Sequence, residues 1–225
     1  MREGALLLKR TENVVSGLSS INRLREFHRV HGTRATVQRF TVGLKRAASR
    51  GQMVLFACDL PVKSPAAAAK NVERKSSPVS LATTDLERLV SHWNPKAMRR
   101  LVTERFAAGA ELWLWRESGI IAASGWTLKG RAMEPHFFPL QQGDVHLFDF
   151  FVFPEFRGRG LNPALVGQIL AALSGEGLQR ALIEAAAWNK PQLASLKKTP
   201  FQKLGIARKS LWGKTTVVWS GHSDK

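Results

Sequence analysis

Val152-Phe153-Pro154-Glu155-Phe156-Arg157-Gly158-Arg159-Gly160-Leu161-Asn162-Pro163 reads as the end of a strand, a short turn and the start of a helix. The apolar run Leu147 to Phe153 predicts a buried strand, and Pro154 stops it. Two glycines one residue apart follow, flanked by arginines. Asn162-Pro163 predicts a helix start, with asparagine as N-cap and proline at the first helical position. Unpaired N–H groups at a helix start, the helix dipole and nearby guanidinium groups together make an anion site, and glycine lets a phosphate approach the backbone. The glycine pattern taken alone is also compatible with an ordinary tight turn.

Downstream, Leu165, Val166, Ile169, Ala172 and Leu173 share one helix face, which stops at Ser174-Gly175. Arg180 to Ala187 then predicts a second apolar strand, so the segment is a βαβ unit with parallel strands. The glycines match neither GxxxxGK[ST] nor GxGxxG with a later ribose-binding acid, which disfavours a nucleotide-hydrolysing loop and a dinucleotide site. Asn189-Lys190-Pro191 opens another helix to about Lys198, and Ala207 to Trp219 predicts one or two closing strands. Upstream, Val79 to Ala82 reads as a strand and Thr84-Asp85-Leu86-Glu87 as a capping box. A helix follows from Pro95 to about Ala107. Glu111–Arg116 and Ile120–Leu128 form a hairpin, and Lys129 to Asp144 is a long loop.

Net charge is +17, and residues 1–75 carry 15 Lys/Arg against 5 Asp/Glu, a net +10. A basic helical extension over 1–52 is expected, then a strand and a Pro/Ala/Ser linker over 53–78, a compact α/β unit over 79–218 and a tail over 219–225. The basic extension suggests contact with a polyanion or an anionic membrane surface, or simply a solvated face. No apolar run approaches the ~18 residues of a membrane span. Cys58 is the single cysteine, and the six histidines lack ligand spacing, so no metal site is expected.

Val152-x-Pro154-x-x-Arg157-Gly158-x-Gly160-Leu161, with Asn189 and then Ser195-Leu196-Lys197-Lys198-Thr199-Pro200-Phe201, resembles the acyl-coenzyme A signature of the GNAT acetyltransferase superfamily. The resemblance covers about residues 79–218. It implies a mixed α/β fold: a six- to seven-stranded, mostly antiparallel sheet with one splayed parallel pair and flanking helices. It also implies acetyl-CoA or another acyl-CoA as cosubstrate. The pyrophosphate would sit on Arg157, Gly158, Arg159, Gly160, Leu161 and Asn162. The pantetheine arm would lie along Phe150 and Val152, with Asn189 reaching it from the next strand. Two positions depart from the pattern: Asn162 stands where the family has Gly or Ala, and Pro200 where it has Gly.

The expected reaction is direct attack of an amine, on a small molecule or peptide, upon the acyl group. The family often protonates the departing thiolate with a tyrosine. This chain contains none, and Leu196 takes that place, leaving Ser195 or a water. Asp149, inside an apolar strand, is the first candidate base, because burial raises a carboxylate toward a useful pKa. His146, three residues earlier and so on the opposite face of a regular strand, is the second, and is equally readable as an exposed ring. Glu184 is the third, more simply read as a paired structural carboxylate. A cytoplasmic N-acetyltransferase, free or peripheral at a membrane surface, is the leading expectation. The alternative is a catalytically weak member of the fold that binds polyanions or membrane surfaces.

Overall fold

The structure is a computed structural model that describes residues 51–62, 71–133, 137, 140–209 and 215–220, with Thr33 and Val37. Contacts divide the chain into two units, Met1–Arg50 and Gly51–Lys225. In the first unit Thr33 and Val37 are helical. The other readings made on the basic extension, and residues 63–70 of the linker, lie outside the described residues.

The second unit is built on one eight-stranded sheet. In chain order its elements are β1 (Gln52–Asp59), β2 (Val72–Lys75), α1 (Thr83–Val90), α2 (Pro95–Ala107), β3 (Glu111–Glu117), β4 (Ile120–Lys129), β5 (Asp144–Val152), α3 (Leu161–Ser174), β6 (Arg180–Ala186), α4 (Lys190–Leu196), β7 (Gln202–Lys209) and β8 (Thr215–Trp219). The strand order is β2-β3-β4-β5-β6-β1-β7-β8. Only β5 and β6 run parallel; every other neighbouring pair is antiparallel.

The sheet separates two apolar layers. On one face, α3 buries Leu161, Leu165, Val166, Ile169, Leu170 and Leu173 against Val145, Leu147, Ala181 and Ile183. These positions fall at i, i+4, i+5, i+8, i+9 and i+12, which makes one helical stripe. Each buried Leu or Ile contributes roughly 1.5–3 kcal/mol of transfer free energy. On the other face, Val102 and Phe106 of α2 pack on Leu112, Leu114, Ile121, Trp126 and Leu128.

Several local readings are corrected. Val79 is not in a strand: Pro78–Ser80 form a 3-10 turn and Val79 is 94% exposed. Helix α1 starts at Thr83 with Ala82 as N-cap and no side-chain cap, so Thr84 and Glu87 form no capping box; Glu87 instead pairs with Arg99. The stretch read as linker contains β2, paired with β3 from Val72↔Trp115 to Lys75↔Leu112. Arg116 ties β2 and α1 to β3, with its guanidinium 2.7 Å from both Glu73 and Asp85. The strand predicted near residue 53 is β1, and it lies between β6 and β7.

Candidate acyl-donor site

The site begins with a defect in a strand. Along the β4–β5 ladder, Trp126 faces Phe148 and Ser124 faces Phe151, so Asp149 and Phe150 together oppose Gly125. This is a β-bulge, and Asp149 adopts φ 53°, in the left-handed region that Asp tolerates better than most residues. Gly125 permits it: a Cβ there would stand 2.4 Å from the Phe150 ring.

On its other side, β5 pairs with β6 only from Asp144↔Arg180 to Leu147↔Ile183. Beyond that point β6 stays with β1 through Ala186, while β5 continues alone past Phe148. The two parallel strands therefore open as a wedge. A cavity of about 510 Å³ lies there, lined by Phe150 and Val152 of β5, by the turn leading into α3, and by α4.

The turn has the shape expected of an anion cradle. Gly158 (φ 81°) and Gly160 (φ 75°) are both left-handed, and nothing lies within 4 Å of a notional Cβ on either. Gly160, not Asn162, is the N-cap of α3, so the helix begins at Leu161 and its first internal bond is Ala164 N–H to Gly160 O. The N–H groups of Leu161 and Asn162 fall in the first turn, where a helix provides no internal partner. The Arg157 side chain donates through Nε to Val152 O at 3.0 Å and lies over the Phe151 ring. Lys198, just past the end of α4, also lines the cavity.

Residues 79–199 match the model of the acetyltransferase (GNAT) family. The chain belongs to that family. Among solved structures it is similar to a GNAT-family acetyltransferase from Colwellia psychrerythraea, with a TM-score of 0.51 and 12% identity over 68% of this chain and 52% of that one. It is also similar to a GCN5-related N-acetyltransferase from Sphaerobacter thermophilus, with a TM-score of 0.50 and 14% identity over 74% and 54%. The chain thus spans about half the length of each. No curated protein sequence matches it. The likeness to solved structures supports the fold, and the family match supports an acyl-transfer function for residues 79–199.

Of the residues expected to hold the donor in this GNAT site, Phe150, Val152, Arg157, Gly158, Gly160, Leu161, Asn162 and Asn189 all line the wedge cavity. Arg159 does not; its guanidinium lies over the Phe156 ring and donates to Glu155 O. Asn189 is the N-cap of α4, its Oδ1 accepting from Gln192 N–H at 3.3 Å. Ser195 is on the cavity wall, while Leu196 is fully buried. Asn162 Nδ2 donates to Gln192 Oε1 and to Ser195 Oγ, each at 2.9 Å, which binds the start of α3 to α4.

The candidate bases differ from expectation. Asp149 is not buried: its side chain is 56% exposed and forms an ion pair with Arg105 of α2. Arg105 is itself buried beside Trp126 and Phe148, with its Nε lacking a partner. His146 is not an exposed ring but 1% exposed. Its Nδ1 accepts from Met133 N–H at 3.3 Å, so Nε2 carries the hydrogen that it donates to Glu184 Oε2 at 3.0 Å. His146 stacks on Phe148, and Arg105 lies over the same ring, so Asp149 is not turned to the opposite face. A regular strand would separate residues 146 and 149; the bulge brings both groups to the borders of Phe148. No group of three possible metal ligands occurs among the described residues. No helix among them is long and apolar enough to cross a membrane.

Proposed function

We propose that this GNAT protein is an acyl-CoA-dependent N-acyltransferase, moving an acetyl group from acetyl-CoA to the amine of a small molecule or peptide. The observation that carries this reading is the wedge cavity, open along β5 and ended by the Arg157–Asn162 turn. The residues fit such a donor. Gly158 and Gly160 leave room for phosphate, the start of α3 offers N–H groups, and Arg157 and Lys198 supply positive charge. The unpaired edge of β5 beyond Leu147 can hydrogen-bond an extended arm, as a strand edge does.

The bound thioester supplies an activated acyl carbon and a good leaving group. Asp149, one residue from the cavity wall at Phe150 and open to solvent, takes the proton of the attacking amine on its carboxylate. Arg105 holds that carboxylate in place. With no tyrosine in the chain, the departing thiolate is protonated by water. A second reading of the base rests on Glu184. It is the first β6 residue beyond the last pairing with β5, at the apex of the wedge, and it is held by His146.

Calorimetric titration with acetyl-CoA tests the donor, and thiol release in a panel of amines tests the acceptor. Saturable binding and amine-dependent thiol release are expected. Absence of any acyl-CoA binding would refute the reading.

A further inference from the structure

The start of α3 carries a side chain that a phosphate cradle does not need. Backbone N–H groups and glycines suffice there, and the family places Gly or Ala at the position of Asn162. In this chain the Asn162 carboxamide crosses to α4 and spends both its N–H groups on Gln192 Oε1 and Ser195 Oγ. Its Oδ1 is buried without a partner. Burying an acceptor unpaired is unfavourable, so the carboxamide is held by its two donations. With Gln192 as placed, reversing the Asn162 amide alone would set its Oδ1 against Gln192 Oε1, acceptor against acceptor.

These two bonds decide which atoms α4 presents to the cavity. Ser195 Oγ accepts from Asn162, so its O–H hydrogen is free to point elsewhere, and it donates to nothing among the described residues. Gln192 Oε1 is likewise occupied, leaving its Nε2 as the free end. Both residues line the cavity, one and two turns from Lys198. What α4 shows the cavity is therefore two neutral donors, joined by the Lys198 cation just past its end, against the N-terminal turn of α3.

We infer that Asn162 is a positioning residue that presents Gln192 and Ser195 as side-chain donors to a phosphate oxygen of the acyl donor, completing from α4 the cradle that α3 begins. The inference rests on the reading of the cavity as the donor site. It assigns Ser195 to donor binding, at the anion end of the cavity, rather than to protonation of the leaving thiolate. A phosphate is the occupant because donors and cations gather at this end of the lining: the first-turn N–H groups, Gln192 Nε2, Ser195 O–H, Lys198 and Arg157.

The test is calorimetry, direct or by competition, on the full chain with three probes. CoA and 4′-phosphopantetheine carry the phosphate; pantetheine carries the arm alone. Asn162→Ala is expected to weaken CoA and 4′-phosphopantetheine about tenfold, the size of hydrogen bonds to a charged group, and to leave pantetheine unchanged. Ser195→Ala should weaken the same two probes. The double variant should be less than multiplicatively worse, because Asn162 acts through its partner. Ser195→Thr, which keeps the hydroxyl, should retain most of the affinity, and melting curves confirm that each variant is folded. Steady-state rates should show KM for acetyl-CoA rising with kcat little changed. An equal loss for pantetheine, fully independent effects of the two substitutions, or a fall in kcat alone would overturn the inference. Failure of the unsubstituted protein to bind CoA would instead overturn the donor-site reading beneath it.

Discussion

The Phe150 ring lies across the backbone of Gly125, where a Cβ would approach it to 2.4 Å. The bulge in β5, the turn of Asp149 toward Arg105 and the first wall of the cavity all depend on that missing side chain. Gly125→Ala should force the ring aside. A loss of about 1–3 kcal/mol, as in overpacked cores, is expected in denaturant unfolding. A weaker affinity for acetyl-CoA is expected in the same protein. Unchanged stability and affinity would show that the ring is free to move.

Gly158 and Gly160 test the cradle differently, since neither is crowded. Their requirement is backbone conformation alone: a left-handed non-glycine residue costs roughly 1–2 kcal/mol. Gly160→Ala should lower stability by about that amount and weaken CoA binding, read by melting and calorimetry. Gly175, at a right-handed φ of −73° beyond the end of α3, is the matched control, and Gly175→Ala should leave binding intact.

If Asp149 accepts the amine proton, Asp149→Asn should lower kcat about a hundredfold or more, with little effect on acetyl-CoA affinity. Glu184→Gln separates the second reading. A loss of rate that follows Glu184 and spares Asp149→Asn would move the base to the apex of the wedge. Both substitutions should also cost stability, since Glu184 is His146's buried partner and Asp149 is the carboxylate paired with buried Arg105.

Glu73 carries a pH dependence of stability. The hydrogen bond from Arg116 holds its carboxyl below the ordinary value of 4.5, against a smaller opposing effect of burial. A pKa lower in the folded than in the unfolded chain favours folding at every pH above 4.5 and loses that contribution as pH falls through the folded value. Denaturant midpoints should therefore be flat above about pH 5 and decline below 4.5, and Glu73→Gln should be less stable at neutral pH with a shallower acid decline. The same slope in both proteins would refute the assignment.

Burial, with a lesser contribution from Asp59, pushes the Cys58 thiol up to about 11, and the side chain is 5% exposed. A thiol-specific reagent should label the folded protein slowly at pH 8 and quickly in denaturant. Thiol release assays should then report free CoA with little background from the protein.

How much of this was legible depended on whether a feature is local. The strand into Val152, the two-glycine turn, α3 and the Asn189 cap are each dictated by residues within a dozen positions, and the reading of a GNAT fold followed from them. Asn162 was misplaced as N-cap because Asn-Pro is a sound local signal that the left-handed Gly160 overrides. β2 was missed because Val72-Glu73-Arg74-Lys75 has no apolar alternation; its stability comes from ion pairs with Glu111, Arg116 and Glu176. The exposure of Asp149 and the burial of His146 were reversed for one reason. Each is set by a residue far along the chain, Gly125 and Glu184 respectively, and an apolar run does not reveal a bulge.

The place of β1 bears on how the chain is made. During synthesis β1 emerges well before either neighbour, β6 or β7, exists. Its apolar residues Leu55, Phe56 and Ala57 must wait unpaired for most of the unit to follow, so closing the sheet is a late, long-range event. A shortened chain beginning at residue 79 would contain the whole signature and still lack the strand between β6 and β7. Such a chain would be expected to aggregate through the strand edges it leaves bare, on β6, on β7 and, with β2 also gone, on β3.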